Sequence, residues 1–185
     1  MTPLGNTEDR YGSVAIVLHW GMAALLVFLL ATGLYMVRLP DVGFDTWKIS
    51  LILTHKATGM VALAAAALRL LWRWANVLPR LAAGLPEWQR VVARFVHLAF
   101  YAVMFAVPLT GWLMSSAGGY PLPIFGLFEV PDLIAPNESR FHLLIAVHRW
   151  LAYTLLALLA LHAGAALRHH LRLRDDTLRR MLPGA

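Results

Sequence analysis

The sequence has no cysteine, so disulfides, thiolate metal sites, iron–sulfur clusters and covalent attachment of a prosthetic group through a Cys-x-x-Cys-His motif are all excluded. Charge is scarce as well. Only 14% of the 185 residues are Asp, Glu, Lys or Arg, whereas 59% are hydrophobic, and a soluble domain of this size needs far more charge to cover its surface. Acid is the rarer sign, with 10 Asp and Glu against 16 Lys and Arg and a net charge of +6. In a soluble chain that balance would suggest nucleic acid. Here the basic residues lie between and after the apolar runs, where they meet lipid headgroups, so the expected partner is membrane lipid and not nucleic acid.

What is present is four long apolar runs. The first spans about residues 14–37 and the others about 49–71, 95–116 and 143–167, each long enough to cross a hydrocarbon core of about 30 Å. The uncharged stretch from Tyr11 to Val37 is longer than a signal-peptide core and has no clear small-x-small cleavage site, so it reads as a retained span. Residues 1–10 read as a polar tail and residues 38–45, with Arg38, Pro40, Asp41, Gly43 and Asp45, as a turn. Residues 72–94 read as an arginine-bearing loop with a short interfacial helix, and residues 168–185 as a basic tail. The segment 118–141, with Pro121, Pro123, Pro131 and Pro136 among apolar pieces, reads as a flap lying on the bundle. Pro108 falls inside the third span and is expected to kink it.

Arginines concentrate in the second connection (Arg69, Arg73, Arg80, Arg90, Arg94) and in the tail (Arg168, Arg172, Arg174, Arg179, Arg180). The other connections hold chiefly Arg38, Lys48 and Arg140, offset by acids. The positive-inside rule then puts both termini in the cytoplasm. The expected fold is all-α: an integral membrane, antiparallel four-helix bundle formed by one domain over residues 1–185, with no internal repeat.

Histidine is the conspicuous polar residue of the spans. His148 and His162 lie fourteen residues apart on span four, a rise of about 21 Å and nearly four turns, so both lie on roughly one face at two depths. Span one enters from the cytoplasmic side with His19 shallow; span two enters from the opposite side with His55 shallow. Depth therefore pairs His19 with His162 and His55 with His148. Ionisable groups in a span mark function more often than packing, and two neutral imidazoles at one depth suit six-coordinate haem iron. Zinc would take three or four ligands, and neither acid nor cysteine accompanies either pair; copper stays open on ligands alone.

Around these pairs, Gly33 and Gly59 leave room for a flat macrocycle or for close helix packing. Arg69, fourteen residues after His55, pairs with a propionate or anchors a headgroup. His97 shares the cytoplasmic level and contacts a propionate, a quinone headgroup or a backbone carbonyl. His169 and His170 lie at the membrane edge and His142 in the flap. Met60, Met104 and Met114 fill the core. Lys56 and Arg149, beside the outer pair, either attract an anion or anchor the interface, Lys56 by snorkelling.

His19-Trp20, the segment Leu53-Thr54-His55-Lys56-Ala57-Thr58-Gly59, His97-Leu98-Ala99-Phe100-Tyr101 with Pro108-Leu109-Thr110-Gly111-Trp112, the segment from Leu161 to His170, and Asp175-Asp176-Thr177-Leu178-Arg179-Arg180-Met181 together resemble the bacterial cytochrome b561 family over almost the whole chain. The resemblance implies a bacterial inner-membrane cytochrome with two haem b, ligated by the same two histidine pairs. It implies electron transfer from a periplasmic donor to membrane quinone, with ubiquinone as acceptor and, in one branch, superoxide oxidation (a superoxide:ubiquinone oxidoreductase). It also places His169 at a quinone pocket. Two other readings stand beside it: a haem-bearing membrane anchor that relays electrons for a separate redox enzyme, and a cofactor-free bundle.

Overall fold

The structure, a computed structural model, describes residues 3–40, 45–80 and 86–182. Asp41 and Gly43 of the expected turn, residues 81–85 of the expected loop and the last three residues of the tail lie outside these. Among the described residues four helices are long and apolar enough to cross a membrane: α1 (Ser13–Met36), α2 (Thr46–Ala75), α3 (Glu87–Ala117) and α4 (Glu138–Arg168), the last continued by a π-helical turn to Leu173. Their starts follow local chemistry. Asp45 accepts from the amides of Trp47 and Lys48 at the head of α2, and Asn137 accepts from Arg140 at the head of α4, each satisfying donors the first turn leaves unpaired. Pro86 precedes α3, where a missing amide hydrogen costs nothing.

Consecutive helices pack side by side, α1 on α2, α2 on α3 and α3 on α4. Met22 and Leu26 of α1, Ala66 of α2, Phe100, Val103 and Met104 of α3 and Leu155 of α4 form the buried core. In sequence each lies between the two histidine levels of its helix. Met104 is core, as its composition suggested; Met60 and Met114 are half-buried. The outward faces carry Val27, Phe28, Leu68, Leu98 and Leu161, the surface a lipid phase would cover.

The segment before α4 is indeed a docked flap. It contains a two-residue hairpin, Pro123–Ile124 with Phe128–Glu129, turned through Phe125 and Gly126 at positive φ. Leu122 is buried, Trp112 Nε1 donates to the Pro131 carbonyl at 3.0 Å, and the Leu133 amide donates to Ser116 Oγ at 3.1 Å.

Two expectations need correction. Residues 72–94 are not mainly a loop: α2 runs to Ala75 and α3 starts at Glu87. Arg73, Arg90 and Arg94 sit on helix ends, where long basic side chains reach out along an apolar surface, so charge there did not mark loop. Nor do the terminal segments trail away. Trp20 Nε1 donates to the Met181 carbonyl at 2.6 Å, Arg180 to the Arg80 carbonyl at 2.7 Å, and the Arg80 amide to the Glu8 carbonyl at 2.8 Å. The described parts of both terminal segments and residues 76–80 after α2 thus share one end of the bundle, the terminal end; the flap covers the other.

Candidate haem sites

Each of the four span histidines is half-buried and faces a partner on another helix. At the terminal end the rings of His19 on α1 and His162 on α4 have centroids 6.1 Å apart, and at the flap end those of His55 on α2 and His148 on α4 are 6.5 Å apart. These pairs join α1 to α4 and α2 to α4, helices whose backbones do not pack closely. A metal sits about 2 Å from an imidazole nitrogen, which itself lies about 1 Å from the ring centre, so two imidazoles on opposite sides of one ion have centroids roughly 6 Å apart. Both pairs have that separation. Among the described residues no group of three or more His, Cys, Asp or Glu is placed to hold a metal ion, so each pair offers an ion two imidazoles.

The hydrogen bonds at the flap end set the tautomers. Thr32 Oγ1 has one proton, donated to the Phe28 and Leu29 carbonyls at 2.8 and 3.2 Å, so the contact between Thr32 Oγ1 and His55 Nδ1 at 3.1 Å is donated by the imidazole. His148 Nδ1 likewise donates, to the Val107 carbonyl at 3.0 Å and towards Thr110 Oγ1 at 3.2 Å. Both rings therefore carry their proton on Nδ1 and keep the Nε2 lone pair for a metal, the usual arrangement of a ligating histidine. Thr32 was not singled out in the sequence, and Thr110 only as one residue of the segment Pro108–Trp112, because a hydroxyl in a span ordinarily just bonds its own preceding turn.

Each threonine is followed by a glycine against the same ring. A Cβ on Gly33 would lie 3.2 Å from His55 Cε1, and one on Gly111 3.2 Å from His148 Cε1. Gly33 thus makes room for the imidazole of the adjacent helix. At Gly59, one turn beyond His55, a Cβ would meet no atom within 4 Å, which fits space beside a large flat group.

The terminal-end pair has different neighbours. An Arg69 guanidinium nitrogen lies 3.1 Å from His19 Nδ1 and another donates to the Leu18 carbonyl at 3.4 Å. Guanidinium has only donors, so Nδ1 accepts, and ligation through Nε2 requires Arg69 to turn off the ring, which its long stem allows. His97 and Phe100 close on His162, with ring centroids at 5.7 and 5.4 Å. Arg73 lies over the Tyr101 ring at 5.8 Å. Burial pushes the Tyr11 phenol up despite nearby Arg73, Arg69 and Arg180, keeping it neutral beside this level.

Below the terminal-end pair, His169 begins the π-helical turn and its Nδ1 lies 2.5 Å from Asp175 Oδ2. Partial burial alone would raise the Asp175 carboxyl, but hydrogen bonds from His169 and Thr177 outweigh it and hold the group below the usual carboxylate range. A cavity of 330 Å³ beside them is lined by His170, Leu171, Arg174, Asp175 and Arg179. Asp175 is a further residue the sequence alone did not distinguish, since its role needs the chain to fold back after Leu173.

At the flap end, the Lys56 ammonium donates to the Pro121 carbonyl at 3.2 Å and lies 5.6 Å over the Tyr120 ring. Arg149 is exposed. His142 is exposed too, 3.9 Å from Glu138, and belongs to neither pair.

Fold and site together define a class: a membrane four-helix bundle with imidazoles paired across its interior at two levels. The family model described as prokaryotic cytochrome b561 matches residues 10–184. Over 177 residues the chain is 36% identical to "Cytochrome b561 homolog 2" of Escherichia coli, covering 96% of this chain and 93% of the relative. It is 29% identical to "Cytochrome b561 homolog 1" of the same organism, over 95% of this chain and 98% of the relative. It is 26% identical to "Probable superoxide oxidase CybB" of Yersinia pestis, over 95% of this chain and 97% of that protein. The chain belongs to the prokaryotic cytochrome b561 family, a family of haem b electron-transfer proteins of the membrane.

Proposed function

We propose that the whole chain is one transmembrane cytochrome b unit of the bacterial inner membrane, with both termini cytoplasmic. It holds two haem b, one between His55 and His148 near the periplasm and one between His19 and His162 near the cytoplasm. Electrons enter at the flap end from a periplasmic donor, superoxide being the favoured one, and leave at the terminal end to ubiquinone beside His169. The observation that carries this reading is the pairing of imidazoles at two levels with separations suited to one ion each.

Held by these two histidine pairs, haem would supply a one-electron carrier suited to outer-sphere transfer. The rest falls to side chains. Thr32, Thr110 and Val107 hold the flap-end rings in the ligating tautomer; Arg69, turned off His19, would bind a propionate; His97 packs on His162 and completes the wall. Lys56 and Arg149 give the periplasmic mouth a positive charge that raises the encounter rate of an anion such as superoxide. His169, oriented by Asp175, offers its other ring nitrogen to a quinone oxygen. The name of the Yersinia pestis relative supports superoxide as donor.

The test is to apply superoxide to the purified protein with ubiquinone present and follow haem reduction. Reduction several-fold faster than in a Lys56→Ala, Arg149→Ala double variant supports the reading. Equal rates would remove the proposed steering by these two cations. A second reading, an anchor relaying electrons for a separate enzyme, draws on the exposed hairpin tip of Phe125, Leu127 and Phe128. A stoichiometric co-purifying partner and no turnover by the isolated protein would favour it.

A further inference from the structure

The chain that follows α4 folds back and brings two arginines to one cavity. The π-helical turn His169–Leu173 ends at Arg174, whose backbone is left-handed at φ 53°, a conformation glycine adopts more readily than arginine, and whose amide donates to the His169 carbonyl. The reversal carries the short 3-10 helix Arg179–Met181 back to the bundle, where Trp20 Nε1 holds the Met181 carbonyl. Arg174 and Arg179, with His170, Leu171 and Asp175, then line the 330 Å³ cavity. His169 is not part of that lining, so the cavity is a different place from the quinone position proposed above.

The neighbouring charges are paired and these two are not. Arg180 donates to Asp176 at 2.8 Å, and Arg80 is bound by Glu8. Asp175 accepts from His169 and from the Thr177 amide at 3.0 Å. Among the described residues the side chains of Arg174 and Arg179 have no carboxylate or carbonyl partner, so the cavity sets two guanidiniums against one carboxylate that is already engaged. A guanidinium presents a planar fork of donors that matches phosphate oxygens. An apolar track leads away from them. Leu171 on the cavity wall is 67% exposed, and Leu167, Gly164 and Ala160 follow it back along α4 at helical spacing, all exposed. Gly164 lies two residues past His162, about 200° around the helix, and a Cβ there would meet no atom within 4 Å.

We infer that this cavity binds the phosphate diester of one anionic phospholipid, with Arg174 and Arg179 on the phosphate oxygens and an acyl chain laid along Leu171 and Leu167. A basic pocket where a span leaves the membrane is the setting in which such headgroups are held. A free phosphate ion shares the head chemistry but leaves the apolar track uncovered, and a zwitterionic lipid brings its own cation against two guanidiniums. Bound this way, the lipid ties the folded-back segment to the bilayer from which α4 emerges. The inference needs the membrane bundle alone and does not depend on haem.

The test is native mass spectrometry of the full-length holoprotein released from detergent micelles after addition of dioleoyl phosphatidylglycerol, dioleoyl phosphatidylcholine or inorganic phosphate. The wild type should retain one phosphatidylglycerol at a concentration at which phosphatidylcholine is not retained, and an equal concentration of inorganic phosphate should not displace it. The double variant Arg174→Gly, Arg179→Gln should lower that retention about tenfold. Glycine suits the left-handed backbone at position 174, so this change does not strain the fold. Leu167→Ser with Leu171→Ser should lower retention too, with both arginines in place. Arg168→Gln with Arg172→Gln removes as much charge from outside the cavity and should retain lipid as the wild type does. Equal retention of the two lipids would mean an apolar surface without a headgroup site, and displacement by phosphate a free-ion site. Equal loss in the two arginine double variants would reduce the effect to general surface charge, and unchanged retention in Arg174→Gly, Arg179→Gln would remove the site. Each of these results overturns the inference.

Discussion

Gly33 on α1 lies against the imidazole of His55 on α2, so closely that a Cβ there would be 3.2 Å from His55 Cε1, and Gly111 on α3 stands in the same relation to His148 on α4. With Thr32 and Thr110 immediately before them, the two glycines make the same seat twice: a Thr-Gly step that both bonds and clears space for the histidine of the next helix. The seats fix the rings that the function needs.

Gly33→Ala and Gly111→Ala should therefore each displace a ring by a few tenths of an ångström, at a cost on the order of 1 kcal/mol. Thermal unfolding in detergent, followed together with haem retention, checks this. Both quantities should fall. Unchanged values in both variants would mean the seats have slack.

The terminal-end level offers His162 two imidazole neighbours, His19 at 6.1 Å and His97 at 5.7 Å. Both lie at one depth, and the proposed assignment, which follows the family resemblance, makes His19 the ligand and His97 a wall. His19→Ala should thus reduce haem from two to one per chain, whereas His97→Ala should retain both. Loss of one haem in His97→Ala and none in His19→Ala would exchange their roles.

Asp175 carries the pH prediction. Its carboxyl is held below the usual range in the folded protein by His169 and Thr177, so it contributes stability that is present above the unfolded carboxyl pKa and is lost as the pH falls through the folded one. Amide protection factors in residues 174–182, corrected for the intrinsic exchange rate at each pH, should fall on acidification through that window, while those in the core of α3 stay high. Asp175→Asn should exchange fast in this segment already at neutral pH. An Asn variant as protected as the wild type would show that the charge of Asp175 does not hold the segment.

For Lys56 and Arg149 the expectation concerns salt. If their charge steers an anion, the rate of haem reduction by superoxide should fall as ionic strength rises, by roughly tenfold at most. The Lys56→Ala, Arg149→Ala variant should lose most of that dependence. Parallel salt curves for the two proteins would assign Lys56 to flap anchoring through Pro121 alone.

Much of this was readable in advance, for physical reasons. Burying about twenty residues in lipid demands an almost unbroken apolar run, so the four spans stand out, and helical rise converts the spacing of His19, His55, His148 and His162 directly into depth. What periodicity does not convey is which neighbour a face meets. Spacing placed Gly33 at the level of the flap-end pair, but not against the His55 ring, which it meets. The roles of Thr32 and Thr110 stayed hidden because their second hydrogen bond depends on how adjacent helices pack. The ends of α2 and α3 were blurred because arginine serves both loops and helix termini, and Asp175 could be paired with His169 only once the segment after Leu173 folds back.

The most direct test is a reduced-minus-oxidised absorption spectrum of the purified protein with haem and protein both quantified. The account predicts a b-type difference spectrum and two haems per chain, falling to one when either His55 or His148 is replaced by Ala. One haem per chain, a colourless preparation, or an unchanged ratio in both variants would contradict it.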